Sequence, residues 1–393
     1  MLWLMLTACL PLQAGPRLDR PAGPVPVTHA ADADAAIAEA VEALVVPFVE
    51  EQGVPAIGIA LVRDGQPLYS GGYGWADVET ERPLEPDTPV LLSSVSKTFV
   101  GVAAMQAVEA GRVSLDDRAD AHLDFAVDNP RVDGDAITLH HLLTHHSGIE
   151  DTAPVWNEYA PGDPEEPLAD FLEAYLTPDG EHWRRRTFAN RAPGEAFSYS
   201  NAGMALAALA LGQAADLEPA DLVDRDIFEP LGMSDTAYYL ADLDQEPAVP
   251  YDRAGDGFRA WPQYGYPTYP DGMIRSSARD MARYVAAMAG GGELEGVRIL
   301  SADLTAAMLT VDPTLGSDED GQAIAWAMRE LDGRPLMGHN GGDYGSLTEI
   351  WLDPSSGSGS GSGIVLLLNG FPDDFRAGIE LEEALFELAL DPE

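Results

Sequence analysis

The 393-residue chain has almost no lysine. Of its 22 basic residues only Lys97 is a lysine; the rest are arginines. Basic residues as a class are scarce, facing 66 acidic ones for a formal net charge of −44. Such a surface repels phosphate backbones and anionic headgroups, which argues against nucleic-acid binding and polybasic membrane docking. Self-repulsion on this scale suits a medium of high ionic strength, where charges are screened over short distances. Cysteine is equally sparse, and a lone Cys9 excludes an intramolecular disulfide framework. Beyond the N-terminus no run is long and apolar enough to span a bilayer.

What remains is the composition of a folded protein. Apolar residues make up 46% of the chain, enough for a core and too many for an acidic disordered polymer. At the N-terminus, apolar Leu2 to Leu6 leads into Leu6-Thr7-Ala8-Cys9, which resembles a bacterial lipobox whose cysteine is lipidated. Residues 1–9 are therefore expected to be a truncated lipoprotein signal, and residues 10–32, with their Pro, Gly and Ala, a flexible tether. An extracytoplasmic location follows as an expectation, with membrane contact only through such an anchor.

Periodicity organises the rest. Ile37, Val41, Leu44 and Phe48 recur at helical spacing. Residues 56–62 and 67–74 flank Asp64-Gly65, whose residues tolerate the positive φ angles of a tight hairpin turn. Thr98 to Val108 is almost continuously apolar and stops near Gly111, as a buried helix would. A further helix is expected over Ala278 to Ala289, strands over Ala323 to Met328, Pro335 to His339, Ser346 to Leu352 and Ile364 to Leu368, and a last helix from Phe375 to Leu388. The Ser/Gly run from Ser355 to Gly363 reads as a flexible hairpin loop. Sheet elements at both chain ends imply one α/β domain over residues 33–393. Its sheet lobe would span about 33–111 and 270–393, with a mostly helical lobe over about 112–269.

Three motifs carry chemistry. Ser94-Val95-Ser96-Lys97 opens the buried helix, placing a hydroxyl and the chain's only amine on one helical face. Arginine stays protonated, whereas a lysine can be tuned, so the sole lysine falls where tuning would matter. Helix N-terminal N–H groups favour the negative charge that an attacked carbonyl develops. Tyr199-Ser200-Asn201 adds a phenol able to shuttle a proton and an amide able to hold a carbonyl. His339-Asn340-Gly341-Gly342 ends a strand-like run, with glycines that allow close approach.

Together these motifs resemble the serine β-lactamase-related hydrolases, which include class C β-lactamases, D-Ala-D-Ala carboxypeptidases and β-lactamase-fold esterases. The stretches Leu139 to Ile149 and Pro230 to Met233 agree, and the likeness covers about residues 35 to 390. It implies an antiparallel sheet flanked by helices, no cofactor and no metal. Ser94 would be the acylated nucleophile, Lys97 its activator, and Tyr199 the proton carrier for leaving group and deacylating water. Which of Lys97 and Tyr199 takes the first proton stays open. Asn201 would hold the acyl-side carbonyl, the N–H groups of Ser94 and Gly342 would form the oxyanion hole beside Gly341, and His339 would line the pocket. Where class C β-lactamases have a lysine at the third motif, this chain has His339, which resembles the carboxypeptidases and esterases. The expected substrate is thus an ester or a D-residue peptide, with a β-lactam as the alternative. A non-catalytic protein binding cell-wall peptide on the same fold is the competing class.

Other features have plainer readings. His140, His141, His145 and His146 lack the glutamate of a zinc-protease motif and read as structural histidines. Arg184-Arg185-Arg186 reads as a solvated face, and Ser147-Gly148 as a turn. Trp156, Trp183 and Trp261 lie in the loops 151–191 and 246–269, where specificity is expected to reside.

Overall fold

A computed structural model describes residues 12–31, 33–134, 136–313, 315, 321–354 and 361–390. Cys9, and most of the Ser/Gly run after Ser355, lie outside the described residues. Strand β1 (Val27–His29) precedes helix α1 (Ala35–Gln52) and the hairpin β2 (Ala56–Arg63) and β3 (Gln66–Asp77). Helices α2 (Lys97–Glu109), α3 (Asn201–Ala214) and α4 (Ala278–Ala289) follow. The chain closes with β4 (Ala327–Leu331), β5 (Arg334–Asp343), β6 (Ser346–Leu352), β7 (Gly363–Leu368) and α5 (Phe375–Ala389).

These strands form an eight-stranded antiparallel sheet, with main path β4-β5-β6-β7-β2-β3-β1 and a short Arg82–Pro83 strand beside β3. Both chain ends contribute, β7 pairing β2 from Gly363 opposite Val62 to Leu368 opposite Ile57. Alternation divides the sheet's two faces. Ile57, Ile59, Leu61, Ile364 and Leu366 pack with α1 and α5, whereas Ala60, Val62, Val365 and Leu367 face the larger core that holds α2, α3 and α4. Asp64 and Gly65 take φ of 52° and 65° in the turn between β2 and β3.

Two expectations need correction. Residues 12–29 are not a free tether: Arg17–Leu18 pairs with Arg259 and Phe258, and β1 pairs with β3 from Val27 opposite Tyr73 to His29 opposite Gly71. Leu12 is buried, and Thr28 Oγ1 donates to Leu84 O at 2.6 Å. Proline-rich sequence is compatible with a sheet edge, where one row of N–H groups needs no strand partner. The strand expected at Ala323 begins only at Ala327, because Ala325 turns at φ 58° and its N–H donates to Leu143 O, burying Trp326. The lobe over 112–269 has mostly helices among its elements, as expected, and it also holds short β elements: the hairpin of Tyr251–Ala254 with Gly257–Ala260 and the pairing of Ala160–Pro161 with Tyr264–Gly265. Its period-2 segments are too short to stand out from the surrounding loops.

Candidate active site

The site begins with a tight turn. Ser93–Ser96 forms one 3-10 turn ahead of α2, and the buried Ser93 takes φ 49°, a left-handed conformation that costs a non-glycine residue about 1 kcal/mol. The turn is pinned against β6: Ser93 Oγ donates to Ser346 Oγ at 3.2 Å, and Ser346 and Thr348 hydroxyls donate to Leu91 O and Leu92 O at 2.6 Å each. Strain held by such anchoring is characteristic of functional turns.

Lys97 follows, with no solvent exposure. Its Nζ donates to Ser94 Oγ at 3.1 Å and to Asp271 O at 2.7 Å, and lies 3.6 Å from Asp271 Oδ1. The ring of Tyr199 is 5.0 Å away on another side. Burial works against the ammonium, but Tyr199 and Asp271 outweigh it, so Lys97 sits above the ordinary lysine range. Burial raises the Asp271 carboxyl, an effect that Lys97 opposes.

Tyr199 and Asn201 come from the start of α3. Ser200 caps that helix, its Oγ accepting from Gly203 N at 2.9 Å. Asn201 is buried. The Tyr199 ring stacks on His145 at 4.3 Å and lies 6.2 Å from the His339 ring. His339 is buried; its Nδ1–H donates to Asn340 O at 2.5 Å, and burial together with Lys97 lowers its pKa to about 4. It is therefore neutral at pH 7.

Strand β5 closes the site. Its pairing with β4 stops at Gly338, so the edge from His339 to Asp343 lacks that neighbour and faces the Ser94 turn. A Cβ at Gly341 would stand 2.4 Å from Leu92 O and 2.9 Å from Ser94 N, so only glycine lets the strand lie this close to the Ser94 turn. A Cβ at Gly342 would meet nothing within 4 Å. The first glycine serves the fold and the second leaves space in the cleft. Beyond them Tyr344 packs on Trp261 at 4.9 Å and on Tyr159 at 5.4 Å, forming an aromatic wall.

The structure thus gathers Ser94, Lys97, Tyr199, His339 and Gly341 from three distant stretches of chain. The family model described as Beta-lactamase matches residues 41–386. The chain belongs to the beta-lactamase family. Its curated relatives in that family include Protein flp of Staphylococcus aureus strain N315, 24% identical over 59% of this chain and 45% of that protein. A Beta-lactamase of Yersinia enterocolitica is 25% identical over 64% of this chain and 59% of that one. The chain thus spans only about half the length of these relatives. Among solved structures, the octameric penicillin-binding protein homologue from Pyrococcus abyssi gives a TM-score of 0.67 at 25% identity, over 87% of this chain and 76% of that one. A class C beta-lactamase gives 0.70 at 20% identity, over 91% and 98%, a likeness of fold. The antiparallel sheet with its flanking helices is the beta-lactamase/transpeptidase-like fold of this family.

Two residues at the site escaped the reading of the sequence. Asp271 sits in a Tyr-Pro-Asp-Gly turn with no motif around it, and Asp151 just follows the His-rich stretch. Their signal is three-dimensional: each is a carboxylate, buried at Asp271 and half-buried at Asp151, placed beside a motif remote in sequence. Among the described residues no three His, Cys, Asp or Glu side chains gather as a metal site. His141 accepts from Thr138 N, His146 Nδ1–H donates to Thr144 O, and His140 lies 3.7 Å from Asp312. Arg184, Arg185 and Arg186 are exposed.

Proposed function

We propose that this protein is a serine hydrolase that forms an acyl-enzyme on Ser94 and acts on an ester or a D-residue peptide. The observation that carries the reading is the surroundings of Lys97 Nζ, which donates to Ser94 Oγ and Asp271 O and has the carboxylate oxygen Asp271 Oδ1 at 3.6 Å. An ammonium has three donors to match them. Lys97 then acts as a fixed cation that orients Ser94, and Tyr199 is the proton acceptor.

The steps follow. The Ser94 O–H bond breaks as Oγ bonds the substrate carbonyl carbon, and the proton passes to Tyr199. Charge on the carbonyl oxygen is met by the N–H groups of Ser94 and Gly342, each such donor contributing on the order of a hundredfold in rate. The tetrahedral species collapses, the leaving group takes the proton from Tyr199, and the acyl group stays on Ser94. Water then attacks with Tyr199 again taking a proton and returning it to Ser94. Asn201 holds the acyl-side carbonyl.

The pocket chemistry supports an uncharged leaving side. His339 is neutral, and Lys97 is committed to Ser94 and Asp271, so the third motif offers no fixed cation for a substrate carboxylate. That weighs against a β-lactam.

The test is mass spectrometry after fluorophosphonate or penicillin treatment, combined with an ester, D-peptide and β-lactam panel on wild type and Ser94→Ala. Label on Ser94, and ester or D-peptide turnover lost in Ser94→Ala, is the expected result. Label elsewhere only, or undiminished turnover in Ser94→Ala, refutes it. Nitrocefin turnover without ester or peptide turnover would instead make the protein a β-lactamase.

A further inference from the structure

The His-rich stretch is unused by the mechanism above, yet it touches nearly every residue of the Tyr-Ser-Asn segment. Ser198 N–H donates to His145 O at 2.8 Å, and Ser198 Oγ to Glu150 Oε2 at 3.0 Å. Ser200 N–H donates to His145 Nδ1 at 3.2 Å, and Ser200 Oγ to Asp151 Oδ1 at 3.0 Å. Asp151 also accepts from Asn201 N at 2.8 Å and Ala202 N at 3.1 Å, filling the first free donors of α3. Between these anchors, Tyr199 is the residue whose ring packs on His145, at 4.3 Å and tilted by 31°.

His145 is unusual in three ways. Its backbone takes φ 59°, it is 1% exposed, and its Nε2 has no hydrogen-bond partner. Because Nδ1 accepts from Ser200 N–H, the ring proton belongs on Nε2. Burial and the nearby Lys97 hold the ring neutral. Neutrality is needed for the geometry: an imidazolium would lose the Nδ1 acceptor and set a second cation beside Lys97. A buried donor left unpaired costs about 1–3 kcal/mol, and the left-handed backbone adds to that. A residue chosen only for packing would avoid both costs.

We propose that residues 145–151 form a clamp that sets the position of Tyr199, with His145 as the plate against which the phenol ring is held and Asp151 as the anchor of its segment. Both are positioning residues acting through Tyr199, and the inference rests on Tyr199 carrying the proton. The clamp fixes the ring by contact with His145, so that Lys97 and Ser94 meet it in one orientation. Displacing a reacting group by about 1 Å costs on the order of a hundredfold in rate.

Two variants of the full-length protein test this. His145→Asn keeps a residue tolerant of positive φ and a carbonyl oxygen able to accept from Ser200 N–H, but removes the ring. Asp151→Asn keeps the shape and removes the charge. Pre-steady-state release of p-nitrophenolate from a p-nitrophenyl ester, measured over a range of ester concentrations, separates the ester's affinity from the acylation rate constant at Ser94. We expect each variant, folded by circular dichroism, to acylate about ten- to a hundredfold more slowly with affinity within threefold of wild type. A role confined to stability would lower the melting midpoint and leave the rate constant of the folded protein unchanged. Acylation within twofold of wild type in the folded variants, or in whichever one folds, overturns the clamp while leaving the hydrolase reading intact. A wild type that gains no label on Ser94 removes both.

Discussion

Replacing Asp271 by asparagine separates the two candidate proton acceptors. The carboxylate lies 3.6 Å from Lys97 Nζ, and both side chains are buried. At an effective dielectric constant near 20, two unit charges at that distance attract by about 4–5 kcal/mol, worth roughly three pH units. Asparagine keeps the backbone carbonyl that accepts from Lys97, so the amine stays in place while its counter-charge goes. The sign is then fixed. In the wild type Lys97 is held above the ordinary lysine range, so its charge, and the stability linked to it, persist below about pH 10 and are lost only as pH rises through its folded value. In Asp271→Asn the counter-charge that opposes desolvation is gone, so that value falls and the ammonium is lost at a lower pH than in the wild type. Fold stability should fall by about 3 kcal/mol where a buried ammonium is left unpaired. The assay is kcat/KM for a p-nitrophenyl ester from pH 6 to 10, at a temperature well below the variant's melting midpoint. If Lys97 works as a cation, the variant gains an alkaline limb absent from the wild type. If its neutral amine were the base, activity would instead climb through the same range. A rising profile, or one superimposable on wild type, would refute the assignment of the ammonium role.

Further outcomes follow from single contacts. Gly341→Ala drives a methyl group into Leu92 O and Ser94 N, so kcat should fall about a hundredfold, whereas Gly342→Ala meets no protein atom and should mainly raise KM for bulky acyl groups. Equal effects in steady-state kinetics would undo that distinction. Asp343 is raised to about 7, chiefly by burial, so it destabilises the fold increasingly as pH rises from its unfolded value of about 4 through 7. Asp343→Asn should accordingly raise the melting midpoint at pH 8, by about 2 kcal/mol or more of stability, and less at pH 5; a larger gain at pH 5 contradicts the linkage. Deleting residues 1–29 removes β1 and the Arg17–Leu18 pairing, and should lower the midpoint by about 5 °C, to be checked by calorimetry against the intact chain.

What the chain disclosed before folding was local. The hairpin around Asp64-Gly65, helix α4 and strand β6 are legible because each follows one period and ends on recognisable residues. The pairing of Ser94 with Lys97 was legible for a chemical reason: a hydroxyl and the sole lysine stand three residues apart at a helix start. Asp271 and Asp151 were not, since a carboxylate's role depends on which remote backbone or amine it meets after burial. The edge strand near Val27 was hidden because its few pairings depend on β3, with no period of its own. His145 was read as structural; the structure shows that it lies directly on Tyr199.

The scarcity of lysine gives the folded molecule a built-in reporter. Amine-selective acylating reagents find one side-chain target in the whole chain, and in the native state that target has no solvent exposure. Modification of the peptide containing Lys97 therefore proceeds only through opening of the cleft or global unfolding. Its rate against denaturant reads the opening free energy of the catalytic centre directly, without an engineered label.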